Sequence, residues 1–281
     1  KCIQEVKFLS SLTHNSANLI TYNHVWLEMD TSCGIVKNRQ GEGSSQDDKV
    51  PCIFILQQFC PGGNLEDCIL SKVFNKFQDH DSPEERKRRF KLKRKSKNKD
   101  LPLGLTTDQI LSILYDISSG LQELHDLGII HRDLKPSNCL LLEKYSSDTV
   151  PPTGKPFPTV IIGDFGESQV SGQLRSATGA TGTLEFTAPE VLIMSPDTES
   201  SLVYPQFTFQ SDIYSLGMIC YFLVFGELPF SPEKSIGQLK ADIRGFQFNK
   251  AQLLEKHQNM NLHPISEEIF DLMELLLSQC E

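Results

Sequence analysis

The spacing of apolar residues predicts one helix and two strands in the first 60 residues. From Glu5 to Leu12 the apolar positions recur at the interval of a helical face. Residues 18–27 and 51–59 are rich in β-branched, aromatic and other apolar side chains, which favours strands. The stretch between them, residues 30–49, is polar and contains several Gly, Ser and Asp residues, so we predict a loop insertion there.

A longer helix is predicted after residue 104. Thr106 or Thr107 can cap its start, and Gly128 can end it. Its apolar residues alternate at intervals of four and three, as one buried helical face requires: Ile110, Leu114, Ile117, Leu121 and Leu124.

Short apolar runs follow this helix. Residues 139–142 and 160–162 predict a hairpin, and the proline-containing connection 143–158 predicts a second loop insertion. Residues 213–225 form a longer apolar stretch, but a membrane helix needs about 20 apolar residues, so we predict a buried helix. A last apolar helix is predicted over residues 269–277.

Charge and cysteine content narrow the function classes. The net charge of −9 argues against a surface that binds nucleic acid or membranes as a whole. The eight cysteines contain no CxxC pair, which speaks against a disulfide framework or a zinc site and favours a reducing, intracellular compartment. We expect the cytoplasm, with access to the nucleus. The chain opens at Lys1 with no secretory signal, and we expect it to be a fragment.

One segment departs from the acidic average. Residues from about 72 to 104 are dominated by charge, and ten Lys or Arg lie between Arg86 and Lys99 without an acid. Three interpretations stay open: a solvated, disordered insertion, a signal for a nuclear import receptor, or a docking strip for an acidic partner.

Three motifs carry the candidate chemistry: the octapeptide from His131 to Asn138, then Asp164-Phe165-Gly166, then Ala188-Pro189-Glu190. Asp133 can accept the proton of an attacking alcohol, and Lys135 can stabilise charge on a phosphoryl group. Asn138 and Asp164 supply hard oxygen ligands of the kind that Mg²⁺ shares with nucleotide phosphates. An isolated acid would mean little, but this ordered set predicts phosphoryl transfer.

In these motifs the chain resembles eukaryotic protein kinases over nearly its whole length. The resemblance implies an α+β fold of two lobes, with ATP and Mg²⁺ as cofactors and a protein Ser or Thr as acceptor. Residues 1–59 would form an incomplete N-terminal lobe with the loop insertion 30–49. Residues 60–64 would form the hinge. Residues 65–281 would form a mainly helical C-terminal lobe with the basic insertion and an activation segment at 164–190, ending before the last helix.

The resemblance also implies roles for single residues. Glu5 resembles the glutamate that pairs with the ATP-binding lysine, and Asp212 resembles the buried aspartate that holds the backbone of the catalytic loop. Gln57 would be the gatekeeper, and the backbone from Gln58 to Cys60 would meet adenine. The full set implied for nucleotide binding is Glu5, Gln58, Cys60, Asn64, Lys135, Ser137, Asn138, Leu140 and Asp164.

Details of the motifs resemble serine/threonine kinases more than tyrosine kinases. Lys135-Pro136 follows the catalytic aspartate, and Thr183 precedes the Ala-Pro-Glu tripeptide. The set as a whole is most similar to fungal Iks-type kinases, and the run from Val25 to Glu28 is similar to kinases of translation initiation factor 2.

Two features leave room for other functions. Neither a Gly-rich loop nor a strand lysine precedes Glu5, so we expect these 281 residues alone to be inactive or weakly active. A pseudokinase scaffold and a module built around the basic insertion are therefore alternatives to the enzyme. For regulation, we expect phosphate on Ser176, Thr178 or Thr181 to pair with Arg132 and raise activity.

Overall fold

The computed structural model describes residues 16–30, 50–76, 102–147, 151, 153–172, 184–192, 207–231 and 234–278. The predicted helix near Glu5, most of the loop insertion 30–49, the basic run from Arg86 to Lys99 and the three predicted phosphorylation sites lie outside these residues. Among the described residues, no helix is long and apolar enough to cross a bilayer.

The two N-terminal strands pair as predicted, with shifted bounds. β1 spans Tyr22–Asp30 and β2 spans Val50–Gln57. They run antiparallel with Val25 opposite Ile55, and the register is irregular between Tyr22 and His24. Residues 18–20 are not part of β1. They cross to the larger lobe instead, where the amide N–H of Ile20 donates to the carbonyl of Ile162 at 2.8 Å.

After the hinge the chain enters a short helix, α1, at Leu65–Cys68, which continues as a π-helical turn over Ile69–Val73. We had expected the basic insertion to begin near residue 72. The ordered chain instead reaches Lys76, because Val73 and Phe74 are apolar and buried in the core. On the other side, Leu103 pairs with Leu262, so the ordered chain resumes before residue 104.

The long predicted helix, α2, spans Thr107–Asp126. Thr106 is its N-cap: the Thr106 hydroxyl accepts the N–H of Gln109, and the Gln109 side chain accepts the N–H of Thr106. This reciprocal pair satisfies two backbone donors of the first turn. Gly128 lies just past the end with φ of 72°, a left-handed conformation that glycine adopts without strain.

Short strands and turns then carry the motif residues. β3 (Ile129–Ile130) pairs with β6 (Gln169–Val170), and β4 (Cys139–Leu141) pairs with β5 (Val160–Ile162) in the predicted hairpin. Further 3₁₀ turns lie at Pro136–Asn138, Leu184–Phe186 and Pro189–Leu192.

The second half is helical: α3 spans Phe209–Phe225, α4 Ile236–Gly245, α5 Lys250–Asn259 and α6 Glu268–Leu277. α3 is the predicted buried helix, although it begins two residues before the predicted Ser211. A Cβ on Gly217 would come within 2.7 Å of the Leu277 side chain, so glycine lets α3 and α6 pack closely. These helices, with α2, form the core on which the motif-bearing loops rest.

Candidate active site

Three of the four predicted chemical side chains lie together in the loop after β3. Lys135 Nζ lies 2.9 Å from Asp133 Oδ2. Asn138 Nδ2 donates to the backbone carbonyl of Asp133 at 2.7 Å and to Asp133 Oδ2 at 3.1 Å. The Asp133 carboxylate is therefore oriented by a cation and an amide, while the Asn138 carbonyl oxygen Oδ1 is left as a ligand atom.

The loop that carries Asp133 is anchored by Asp212, which lies near the start of α3 and is almost fully buried. Asp212 Oδ1 accepts the backbone N–H of Arg132 at 2.9 Å, and Oδ2 accepts that of His131 at 2.8 Å. Oδ2 also lies 2.9 Å from Nε2 of His125 on α2. The predicted contact between Asp212 and the loop backbone is present, and it holds Arg132 at a φ of 71°.

His131 joins the loop to the segment that contains Asp164. Its Nε2 lies 3.1 Å from the carbonyl of Gly163, and its Nδ1 lies 3.3 Å from the donating N–H of Asp133. These contacts favour the tautomer with the proton on Nε2. The N–H of Gly163 in turn donates to the carbonyl of Asn138 at 2.9 Å. Both backbone groups of Gly163 are therefore tied to the catalytic loop.

Asp164, the fourth predicted residue, follows Gly163 directly and is exposed. It has a φ of 58°, and its Oδ1 accepts the N–H of Gly166 at 3.3 Å. The next residue, Phe165, is buried with its ring 5.6 Å from that of His131 and 6.1 Å from that of Tyr22. The buried aromatic side chain thus fixes the segment on which Asp164 projects into solvent.

Sequence reasoning missed a second buried carboxylate that supports this segment. Asp116 on α2 accepts the N–H of Val160 at 3.0 Å, and its other oxygen lies 2.8 Å from Lys155 Nζ. The carbonyl of Val160 accepts from the buried Asn18 side chain at 2.9 Å. Side chains from two distant parts of the chain thus hold the first residue of β5, four residues before Asp164. The available signal was an acid flanked along α2 by residues of the buried face.

The predicted hinge lies at the other end of the site. Gln58 is tied to Thr21, because its N–H donates to the Thr21 carbonyl at 2.8 Å and its Oε1 accepts the Thr21 N–H at 3.4 Å. Asn64, predicted at the ribose edge, is the N-cap of α1: its Oδ1 accepts the N–H of Asp67 at 2.8 Å. Asn64 also bridges to Leu140 in backbone pairing, so the hinge meets the hairpin.

The nearby thiols and one carboxylate have shifted ionisation. Burial raises the pKa of Cys60 at the hinge and raises that of Cys139 to about 12, so both thiols favour the neutral, weakly nucleophilic form at neutral pH. The pKa of Glu66 on α1 is raised by burial and by the charges of Asp67 and Glu185, against an opposing effect of Lys135. Glu66 therefore lies between the hinge and the catalytic loop in an electrically crowded position.

The donor set fits a metal that is shared with a phosphate. Among the described residues, no group of three or more His, Cys, Asp or Glu side chains could hold a metal ion by itself. One amide oxygen from Asn138 and one carboxylate from Asp164 would leave most of an octahedral Mg²⁺ shell for nucleotide phosphates and water. Ser137 and Leu140 flank Asn138 and are partly exposed, whereas the predicted Glu5 lies outside the described chain.

Comparisons with known proteins agree with this geometry. A family model described as protein kinase domain matches residues 1–281. The probable serine/threonine-protein kinase iksA of Dictyostelium discoideum is 30% identical over 271 residues, which cover 89% of this chain and 23% of that protein. The serine/threonine/tyrosine-protein kinase HT1 of Arabidopsis thaliana is 34% identical over 133 residues, covering 47% of this chain and 28% of that protein. The chain thus spans about a quarter of the length of these curated relatives.

A solved structure supports the fold independently. The structure titled Rad53 kinase domain and SCD2 matches with a TM-score of 0.58 at 20% identity, covering 99% of this chain and 70% of that one. At this identity the match shows the fold alone. The predicted α+β, kinase-like fold is confirmed.

Proposed function

The chain belongs to the protein kinase domain family, and from that premise we propose that it transfers the γ-phosphate of ATP to Ser or Thr hydroxyls of proteins. Asp133 is the proposed proton acceptor, Lys135 stabilises the transferred phosphoryl group, and Asn138 and Asp164 hold Mg²⁺. The observation that carries the proposal is the contact of Asp133 Oδ2 with both Lys135 Nζ at 2.9 Å and Asn138 Nδ2 at 3.1 Å.

The chemistry follows from what these side chains do. The Asp133 carboxylate accepts a hydrogen bond from the substrate hydroxyl, aims its oxygen at the γ-phosphorus and takes the proton as the new P–O bond forms. Lys135, which is bonded to Asp133 in this structure, donates to the transferred phosphoryl oxygens and balances their charge. Bound Mg²⁺ would neutralise phosphate charge, and Asn138 and Asp164 supply the oxygen atoms that would hold it.

The nucleotide end of the proposal rests on the resemblance and on the position of the hinge. We propose that backbone groups between Gln58 and Cys60 meet adenine, while Leu140 contacts the base from the hairpin side. Asn64 and Ser137 would lie along the ribose and phosphates, and Glu5 would pair with the ATP lysine. Specificity for Ser and Thr is supported by Lys135-Pro136 and by the serine/threonine kinases among the relatives.

The test is an Asp133→Asn variant, which keeps the size of the side chain but cannot accept the proton. We expect turnover to fall by roughly 100-fold or more, as for loss of a general base, with nucleotide affinity within about twofold. Phosphate transfer to a Ser/Thr protein substrate and binding of a fluorescent ATP analogue report the two quantities. Asp126→Asn on the exposed end of α2 is the matched control.

Undiminished transfer by Asp133→Asn, with transfer by Asp126→Asn also unchanged, would exclude the proposed role. Equal loss of transfer and of nucleotide binding would instead point to a misfolded site. Circular dichroism of both variants separates that case from a chemical defect.

A further inference from the structure

A cavity of about 1080 Å³ lies in the helical lobe, apart from the catalytic loop. It is enclosed by the end of α3, the turn that follows it, α5, and the 3₁₀ turn at Leu184–Phe186. Much of its lining is apolar and includes Leu70, Phe222, Leu228, Phe230 and Phe246. Such a surface favours an occupant with exposed apolar side chains.

The rim of the cavity carries carboxylates. Glu227 is already paired, since Lys256 Nζ lies 3.0 Å from one of its oxygens and Lys76 Nζ lies 3.4 Å from the other. Although partial burial opposes it, these two lysines hold the pKa of Glu227 below its usual value. Glu185 lines the opposite side and is close enough to Glu66 to raise the pKa of Glu66. A cation that binds between these two carboxylates would relieve their repulsion.

Residues 77–101 leave and rejoin the described chain at this rim. Lys76, the last residue before them, donates from Nζ to the carbonyl of Gly226 at 2.8 Å, and Gly226 lines the cavity. A Cβ on Gly226 would lie 2.6 Å from the ring of Phe74, and one on Gly104 would lie 3.7 Å from the same ring. Both ends of the segment are therefore next to one aromatic side chain at the cavity mouth.

The composition of the segment is complementary to the cavity and its rim. Between Arg86 and Lys99 it has ten Lys or Arg and no acid, and the run Arg89-Phe90-Lys91-Leu92-Lys93 alternates cationic with apolar residues. The rest of the chain has 17 basic residues against 36 acidic ones. A dozen residues can span roughly 40 Å when extended, so the basic run can reach the cavity from either end.

We propose that residues 77–101 dock into this cavity of their own chain. Phe90 and Leu92 occupy its apolar part, and neighbouring lysines or arginines bind at the carboxylates of Glu66 and Glu185. Tethering at both ends gives the segment an effective concentration on the order of millimolar, so modest contacts suffice to keep it bound. The basic run thereby has its acidic partner within the molecule.

The first experiment is zero-length carbodiimide cross-linking of the full chain at low protein concentration, read by mass spectrometry. We expect intramolecular links from lysines between Lys87 and Lys99 to Glu185 or Glu66. Links confined to carboxylates that lie away from the cavity would overturn the proposal. Links found only between two chains, in mixed isotopically labelled and unlabelled protein, would assign the occupant to a second copy and would overturn it as well.

The second experiment measures binding of a fluorescent peptide with the sequence of residues 86–99. It compares the wild-type chain with a variant of equal length in which the ten Lys and Arg of this segment are replaced by Gln. Because the tethered segment competes for the cavity, we expect the peptide to bind the Gln variant about 100-fold more tightly than wild type. Equal affinity for the two proteins, or no binding to either, would contradict cis docking.

Carboxylate variants in the background of the Gln variant locate the peptide site. Glu185→Gln and Glu66→Gln should each weaken peptide binding about 10-fold, which corresponds to the loss of one charge-assisted contact. Asp126→Asn and Glu255→Gln, exposed acids that do not line the cavity, should leave the affinity unchanged. Equal losses in all four variants would show nonspecific attraction to an acidic protein and would refute the site.

Discussion

The catalytic loop and the hinge form the two ends of the candidate site, and different contacts hold them. Around Asp133 the backbone is fixed by buried side chains, above all Asp212, which accepts three hydrogen bonds from residues in two elements. The hinge is fixed by backbone pairing and by partly exposed side chains such as Gln58, and Phe59 within it is 84% exposed. A reaction that needs atoms placed within a fraction of an ångström gains from the first kind of support, whereas binding a flat base needs only the second.

The contrast predicts the largest effect for loss of Asp212. Asp212→Ala leaves two backbone N–H groups and His125 without their acceptor in the protein interior. We expect the free energy of unfolding to fall by about 3–5 kcal/mol. Urea denaturation followed by circular dichroism measures this loss.

The transfer rate of Asp212→Ala should also fall, because Asp133 loses its anchored backbone. Asp126→Ala removes an exposed carboxylate from the same type of element and should change stability by no more than about 0.5 kcal/mol. If Asp212→Ala matches that control, the buried network does not support the catalytic end, and the comparison fails.

A somewhat smaller effect is expected at Asp116, which supports the strand leading to Asp164. Asp116→Ala exposes the buried N–H of Val160 to an environment without an acceptor, at a cost of about 2–3 kcal/mol. Lys155→Met removes only the partly exposed partner and should leave Asp116 with one contact. Urea denaturation of both variants gives the ranking.

The Asp116 prediction also separates positioning from plain stability. If Asp116 sets the course of β5 toward Asp164, its variant should need more Mg²⁺ for half-maximal transfer even at temperatures where it is fully folded. Lys155→Arg, which preserves the ion pair, should restore wild-type behaviour relative to Lys155→Met. A Mg²⁺ dependence identical in all three proteins would limit Asp116 to a structural role.

These two carboxylates also show how far sequence could predict the molecule. Local patterns sufficed where neighbours along the chain interact: the cap at Thr106, the hairpin of β4 with β5, and the loop that holds Asp133, Lys135 and Asn138. The role of Asp212 came from the resemblance to kinases. Asp116 pairs with Lys155 across 39 positions, and no periodicity or turn rule encodes which distant polar groups share a buried site.

The cavity and the ordered bounds of the basic insertion were not predicted for a related reason. Val73 and Phe74 follow a helix and precede a charged stretch, so their sequence context favours solvent. Their burial depends on Gly226 and Gly104, whose missing side chains leave space for the Phe74 ring. Such complementarity exists only once the helices have packed.

At the hinge, a smaller effect is expected from Asn64→Ala. The variant removes the N-cap of α1, and loss of a cap costs about 1 kcal/mol. Asn64→Ser retains a capping oxygen and should keep most of the stability. Because the hinge positions only the nucleotide, the KM for ATP should rise a few-fold while kcat stays near wild type. A fall in kcat as large as that of Asp116→Ala would remove the distinction between the two ends.

The smallest effect concerns Glu66, which lies where the two ends meet. Its pKa is raised by burial and by nearby acids, so the folded state binds a proton more tightly than the unfolded state does. Stability from this group is present at low pH and is lost as pH rises from the unfolded pKa through the higher folded one. Glu66→Gln removes that loss, so we expect a slightly higher Tm at pH 7 and a flatter dependence of Tm on pH between about 4 and 6. Glu255→Gln is the exposed control, and a Glu66→Gln variant less stable than wild type at pH 7 would show that its charge is compensated and that the junction is not crowded.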